Sequence, residues 1–189
     1  ADYFRRWHSH KRNSGGLLIH KCTHHFDLIN WWVGSVPKTV FAQGSRKFYN
    51  SEQAQRYGLE NHASRCLGCA VSPRCNFFLD MSAIPTIKKL YLDNEEYDGY
   101  IRDCCVFRDD IDIEDTLSVV AQYKNGVSLT YNLTAYSSWE GYRLEITGTK
   151  GRLEQLSRES SYINGDGKVQ GAAIAEGTTL KIYPNFKTP

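Results

Sequence analysis

Apolar positions along the chain follow two spacings, one typical of helices near the N-terminus and one typical of strands further on. A helical apolar stripe over residues 26–33 follows Thr23, which is predicted to cap the helix, and Gly34 and Pro37 are predicted to end it. A shorter helix is predicted at residues 1–11, before the break at Ser14-Gly15-Gly16. A further short helix is predicted at Ser51–Gln55, with Ser51 as its N-cap.

Alternating apolar and polar residues predict strands through most of the remaining chain. The predicted strands are Lys38–Ala42, Tyr100–Phe107, Thr116–Tyr123, Val127–Leu133, Tyr142–Thr147, Arg152–Leu156 and Thr179–Tyr183. Asn125-Gly126 joins two of them and predicts a hairpin turn, because both residue types tolerate positive φ. A second hairpin turn is predicted at Gly148–Gly151. The predicted fold is therefore α+β, an open and mainly antiparallel sheet with helices packed on one face.

Length and charge narrow the class of protein. The chain has 189 residues, of which 41% are hydrophobic, and this suits one domain over residues 1–189 with a sizeable core. Its net charge of +2 argues against nucleic acid as a partner, because phosphate binding needs a concentrated basic face. Since no apolar run approaches the length of a membrane-spanning helix, no membrane partner is expected.

Three cysteines bunched in a segment predicted to be irregular, residues 58–80, suggest a structural site. Cys66, Cys69 and Cys75 form a C-x2-C-x5-C pattern, and a structural zinc would need a fourth ligand. Cys104 and Cys105 stand side by side in a predicted strand, so only one can face the site, and Cys105 is preferred. His62 is an alternative ligand. Metal binding, free thiols and disulfides all remain open from the spacing alone.

Two segments resemble the second domain of the Gfo/Idh/MocA oxidoreductases, the glucose–fructose oxidoreductase and inositol dehydrogenase family. The first is Gly15–Trp32, which reads GGLLIHKCTHHFDLINWW, and the second runs from Asp115 to the turn EITGTKGRLE at Glu145–Glu154. The two motifs occur in the family's order, and the resemblance covers roughly residues 1–157. It implies a C-terminal substrate and oligomerisation domain whose Rossmann domain is absent, and a chain truncated at both ends.

The same resemblance implies the activity and the partners. The parent protein is expected to be an oxidoreductase that uses NAD or NADP on a sugar, inositol or similar polyol, and to form a homo-oligomer through the sheet. Residues Gly165–Gly171 have glycines at nearly the spacing of a dinucleotide-binding loop. However, the spacing is one residue too long and the segment does not lie between a strand and a helix, so a surface turn is predicted there. The cytoplasm is favoured over the periplasm as the location.

Candidate catalytic residues cluster in the first resembling segment. Removing a hydride from a carbinol requires a base for the hydroxyl proton, and histidine changes charge near neutral pH. His24 matches the family's second-domain histidine. His20 and Lys21 stand where the family often has an aspartate and its neighbour, which places the usual aspartate–histidine relay in doubt. These three residues are the catalytic candidates, and the substrate-binding candidates are Arg5, Trp7, Asp27 and Tyr142.

Two other functions stay open from the sequence. One is an NAD-dependent glycosidase or lyase on the same scaffold, in which transient oxidation of a sugar carbon allows elimination. The other is a non-catalytic binding module held together by zinc. The 189-residue chain alone is expected to be inactive, because the cofactor carries the hydride chemistry.

Overall fold

The computed structural model describes residues 1–159 and 177–186, in two compact units, Ala1–Tyr136 and Ser137–Pro189. The turn predicted at Gly165–Gly171 lies outside the described residues. Within the described ranges, no helix has both the length and the apolar character needed to cross a membrane.

Seven helices belong to the first unit among the described residues. They are α1 Asp2–Arg5, α2 Lys11–Ser14, α3 Leu17–His20, α4 Thr23–Val33, α5 Ser51–Arg56, α6 Pro85–Leu90 and α7 Glu95–Asp98. Two predicted caps were wrong by one residue. Asn50 caps α5 by accepting a hydrogen bond from the Gln53 N–H, and Thr23 is the first residue of α4 and not its cap. Gly34 ends α4 as predicted, in a left-handed conformation.

The first unit has a three-stranded antiparallel sheet in the order β1-β2-β3. The strands are β1 Pro37–Ser45, β2 Thr116–Tyr123 and β3 Ser128–Thr134. Burial alternates strictly along β2, so Leu117, Val119, Ala121 and Tyr123 face one side and are buried. Helix α4 packs on that side, where Phe26 contacts the Tyr131 ring and Asn30 accepts a hydrogen bond from the Tyr123 hydroxyl.

The second unit has its own antiparallel sheet, in the order β4-β5-β6. Its strands are β4 Glu140–Gly148, β5 Gly151–Glu159 and β6 Gly177–Pro184, and the predicted turn at residues 148–151 joins the first two. The α+β class with antiparallel strands is confirmed. The strands predicted as one open sheet form two three-stranded sheets in the described part of the chain.

The strand predicted at Tyr100–Phe107 was wrong. That segment forms a single isolated bridge, between Arg65 and Cys104. The Asp103 carboxylate accepts a hydrogen bond from the Leu67 N–H and pairs with the Arg65 guanidinium at 2.7 Å. These side-chain contacts join the segment to the loop that carries Cys66, in place of the predicted strand.

Candidate functional site

Four ring-bearing residues near the N-terminus pack together and form what we call the N-terminal cluster: Tyr3, Trp7, His8 and His20. The Tyr3 hydroxyl lies 2.9 Å from Nδ1 of His20. The Trp7 and His8 rings stack with centroids 3.8 Å apart, and the His8 and His20 centroids are 5.0 Å apart. The cluster therefore combines two imidazoles, a phenol and an indole at one place.

Local backbone geometry brings these residues together. Tyr3 lies on α1, Trp7 and His8 lie on the short 3-10 turn that follows it, and His20 is the last residue of α3. Gly15 and Gly16, at the break predicted between the helices, have φ of 70° and 82°. Because side-chain-bearing residues rarely adopt such values, these glycines allow the reversal that returns α3 to the cluster.

Burial and neighbouring charge keep the His8 ring neutral. Its pKa is lowered to about 4, first by burial and then by the positive charges of Arg6, His20 and Lys21. Its Nδ1 atom is buried and lacks a hydrogen-bond partner among the described residues. Burial also raises the pKa of the Tyr3 hydroxyl. At neutral pH the cluster therefore holds an uncharged imidazole and an uncharged phenol side by side.

Two of the three catalytic candidates belong to this cluster or lie near it. His20 belongs to it, and Lys21 is exposed but close enough for its charge to act on His8. His24 is exposed on the first turn of α4. Asp27 is exposed three residues later on the same helix, and residues at that spacing share a helix face.

The substrate-binding candidates are more scattered. Trp7 belongs to the cluster with 42% of its surface exposed. Arg5 is buried, and its guanidinium donates instead to the Phe77 carbonyl at 2.5 Å and to Sγ of Cys66 at 3.3 Å. Tyr142 lies on β4 in the second unit, where its hydroxyl accepts a hydrogen bond from Gln155. The structure does not bring Arg5 to the N-terminal cluster.

Sequence reasoning did not single out Tyr3 or His8. Both lie in a segment with aromatic residues and histidines at positions 3, 4, 7, 8 and 10. Residues at i and i+4 meet on one side of a helix, so Tyr3 and Trp7 offered a weak signal of a shared face. The approach of His20 depends on the glycine reversal, and the local pattern alone does not indicate it.

A second group of polar side chains fixes the start of α4 to the sheet. The Tyr131 hydroxyl of β3 donates to Sγ of Cys22 at 3.2 Å and lies 2.8 Å from Nδ1 of His25. Burial raises the pKa of both Tyr131 and Cys22. His25 therefore packs against the sheet, and this contact fixes the turn of α4 that carries His24.

The four cysteines predicted as metal ligands surround one cavity. The residues that line this space of about 20 Å³ include Cys66, Cys69, Cys75, Cys105 and His62. All six cysteines of the chain are free thiols. Burial raises the pKa of Cys75, and it raises the pKa of Cys105 to about 11. No group of three or more histidine, cysteine, aspartate or glutamate side chains in residues 1–159 and 177–186 has an arrangement that could hold a metal ion as the side chains stand.

Comparison with known proteins identifies relatives of the chain. Residues 1–188 match the profile of the Gfo/Idh/MocA family described as "Oxidoreductase family, C-terminal alpha/beta domain". A curated protein from Bacillus subtilis (strain 168), "Putative oxidoreductase YteT", is 39% identical over 195 residues. The alignment covers 100% of this chain and 44% of that relative, so the chain spans less than half of the relative's length.

Proposed function

Because the chain belongs to the Gfo/Idh/MocA oxidoreductase family as its C-terminal α/β domain, we propose that it forms the substrate side of an NAD- or NADP-dependent enzyme that acts on a sugar, inositol or related polyol. The cofactor would accept or donate the hydride. We assign its binding to the part of the full-length protein outside this chain.

One observation supports this proposal most directly, the hydrogen-bonded pair of Tyr3 and His20 beside the half-exposed Trp7. Polyols present hydroxyl groups and apolar C–H faces on the same molecule. An indole offers a large rigid surface to the C–H face, and an imidazole–phenol pair can both donate and accept hydrogen bonds to hydroxyls. The N-terminal cluster has both kinds of surface within one short segment.

We assign the proton step to His24, which is exposed on the first turn of α4. As the carbinol carbon loses hydride, its hydroxyl must lose a proton, and a histidine within hydrogen-bond reach can accept it. Lys21 would stabilise the negative charge that develops on that oxygen. Asp27, on the same face of α4, would favour the protonated form of His24 after the transfer.

Steady-state kinetics of the full-length protein test this assignment. We expect reduction of NAD or NADP with at least one member of a panel of aldoses, inositols and other polyols. His24→Asn should lower kcat by about 10²–10⁴, the usual contribution of a general base, and Trp7→Ala should mainly raise KM. His10→Asn is the matched control, because the His10 ring pairs instead with Asp110 at 3.6 Å.

Two results would overturn the assignment. Wild-type rates in His24→Asn would remove His24 from the chemistry. Equal losses of kcat in His24→Asn and His10→Asn would indicate a general effect of changing histidines in this segment.

A further inference from the structure

The geometry points to a structural zinc site in the cysteine cavity, with Cys66, Cys69, Cys75 and Cys105 as its four thiolate ligands. This inference is independent of the proposed enzymatic function, since the cavity residues have no part in the assigned proton step. Four cysteines converge on the cavity, backbone N–H groups donate to three of their sulfurs, and a buried positive charge lies beside them.

The four cysteines come from two separate segments of the chain and meet at one cavity. Three of the cysteines come from one loop, and Cys105 comes from a segment about thirty residues further on that pairs with this loop. The Cys66 N–H donates to the Asp103 carbonyl, and the Cys105 N–H donates to the Ser64 carbonyl, both at 2.8 Å. The backbone therefore fixes the remote cysteine beside the loop.

The cavity is suited to a single ion. Its volume is about 20 Å³, and a space needs roughly 10–15 Å³ to hold even one water-sized sphere. Zinc bound to sulfur lies about 2.3 Å from each ligand in a tetrahedron. In the structure the thiols line this space without ligating geometry, so the proposed site requires the four sulfurs to move closer together when zinc binds.

Backbone N–H groups already point at the sulfurs. The Leu79 N–H donates to Cys66 at 3.4 Å, the Ala63 N–H donates to Cys69 at 3.4 Å, and the Phe107 N–H donates to Cys105 at 3.5 Å. Such bonds stabilise a thiolate more than a neutral thiol, and metal–thiolate sites rely on them.

A buried positive charge lies against the same sulfurs. Arg5 is 5% exposed, and its guanidinium contacts Cys66 and the backbone carbonyls of Phe77 and Cys104. None of the ion pairs among residues 1–159 and 177–186 includes Arg5. Burying an unpaired charge is costly. Four thiolates around Zn²⁺ carry a net charge of −2, and this anion would pair with the guanidinium.

The cavity also lies in a long segment with little regular secondary structure, which a bound metal would restrict. Residues 57–84 contain one 3-10 turn and no longer helix or strand. Long irregular loops are costly to order, and a metal that joins four points of the chain restricts them. Binding would release protons, because four thiols become four thiolates as one Zn²⁺ enters and their protons pass to the buffer.

Metal analysis of the full-length protein tests the site. We expect one zinc per chain in wild-type protein purified without added metal. The zinc content should be lower by about 10-fold or more in Cys69→Ser and in Cys105→Ser. Cys104→Ser is the matched control, because the Cys104 sulfur contacts the Ile101 carbonyl and does not line the cavity. It should retain the metal.

Cobalt substitution of the wild-type protein keeps the test independent of how the variants fold. Tetrahedral thiolate-bound Co²⁺ gives intense sulfur-to-metal charge-transfer absorption, and we expect that spectrum with four sulfurs. Wild-type protein without metal, or with iron in place of zinc, would overturn the proposal. Loss of metal in His62→Asn with full retention in Cys105→Ser would overturn the assigned ligand set.

Discussion

Among single residues, the two neighbouring histidines of the N-terminal cluster have different environments. His8 is buried beneath Trp7, and burial together with nearby positive charges lowers its pKa to about 4. His20 is half-exposed and bonded to the Tyr3 hydroxyl. One imidazole therefore acts as an apolar packing element, while the other keeps a polar contact at the surface of the cluster.

The low pKa of His8 predicts a dependence of stability on pH. The unfolded chain binds a proton at His8 below about pH 6.5, whereas the folded chain binds it only near pH 4. The free energy of unfolding therefore falls as pH drops from 6.5 to 4. We expect this group to account for about 1–3 kcal/mol of that loss.

Thermal unfolding across that pH range measures the effect. The His8→Gln variant should lose less stability on acidification than the wild type, and His10→Gln serves as the control. An identical slope in His8→Gln and wild type would contradict a neutral buried His8.

At the scale of elements, the hairpin of β2 and β3 depends on its turn. Gly126 has φ of 91°, a conformation in which a side chain is strained. The Asn125 side chain accepts a hydrogen bond from the Val127 N–H and donates to the Val33 carbonyl at the end of α4. The turn thus sets the strand register and fastens the helix to the sheet.

We expect Gly126→Ala to lower the free energy of unfolding by about 1 kcal/mol or more, because alanine is disfavoured at positive φ. Urea denaturation followed by circular dichroism measures this loss. Lys124→Ala, in the same turn, should change stability by less than about 0.5 kcal/mol. Equal effects of the two substitutions would show that the backbone conformation of Gly126 is not the cause.

Elements with a strong local signal could be predicted from the sequence, and those fixed by distant contacts could not. The alternation of apolar and polar residues correctly predicted β2 and β3, and Asn125-Gly126 correctly predicted the turn between them. Only Gly126 of that pair has positive φ. Residues 100–107 have a strand-like composition, but the segment forms one isolated bridge, and its Asp103 carboxylate contacts Leu67 and Arg65 far away in the chain. His20 could be proposed as functional because it lies in the segment that resembles the family. Its partner Tyr3 could not, because their contact depends on the reversal at Gly15 and Gly16.

At the scale of the whole molecule, the outer face of the first sheet has an apolar centre. Phe41 and Val120 lie opposite each other on β1 and β2, and they are 68% and 51% exposed. Polar residues surround the pair along both strands, such as Thr39, Gln43 and Ser118. An apolar centre with a polar rim is typical of protein interfaces, so we propose that the full-length protein forms a homo-oligomer through this face.

Light scattering of the full-length protein tests the oligomer. We expect Phe41→Asp to reduce the molar mass in solution toward that of a monomer, while Gln43→Asp on the same face leaves it unchanged. A wild-type protein that is monomeric at micromolar concentration would contradict the proposed interface.

We propose that this chain forms the substrate side of an enzyme that moves hydride from a polyol to a nicotinamide. The most direct measurement uses a polyol deuterated at the carbinol carbon, oxidised cofactor and the full-length protein, with mass spectrometry of the cofactor. We predict deuterium in the reduced nicotinamide, far less of it with His24→Asn, and none with the 189-residue chain alone. Unlabelled cofactor with every polyol of the panel would contradict the proposed hydride transfer.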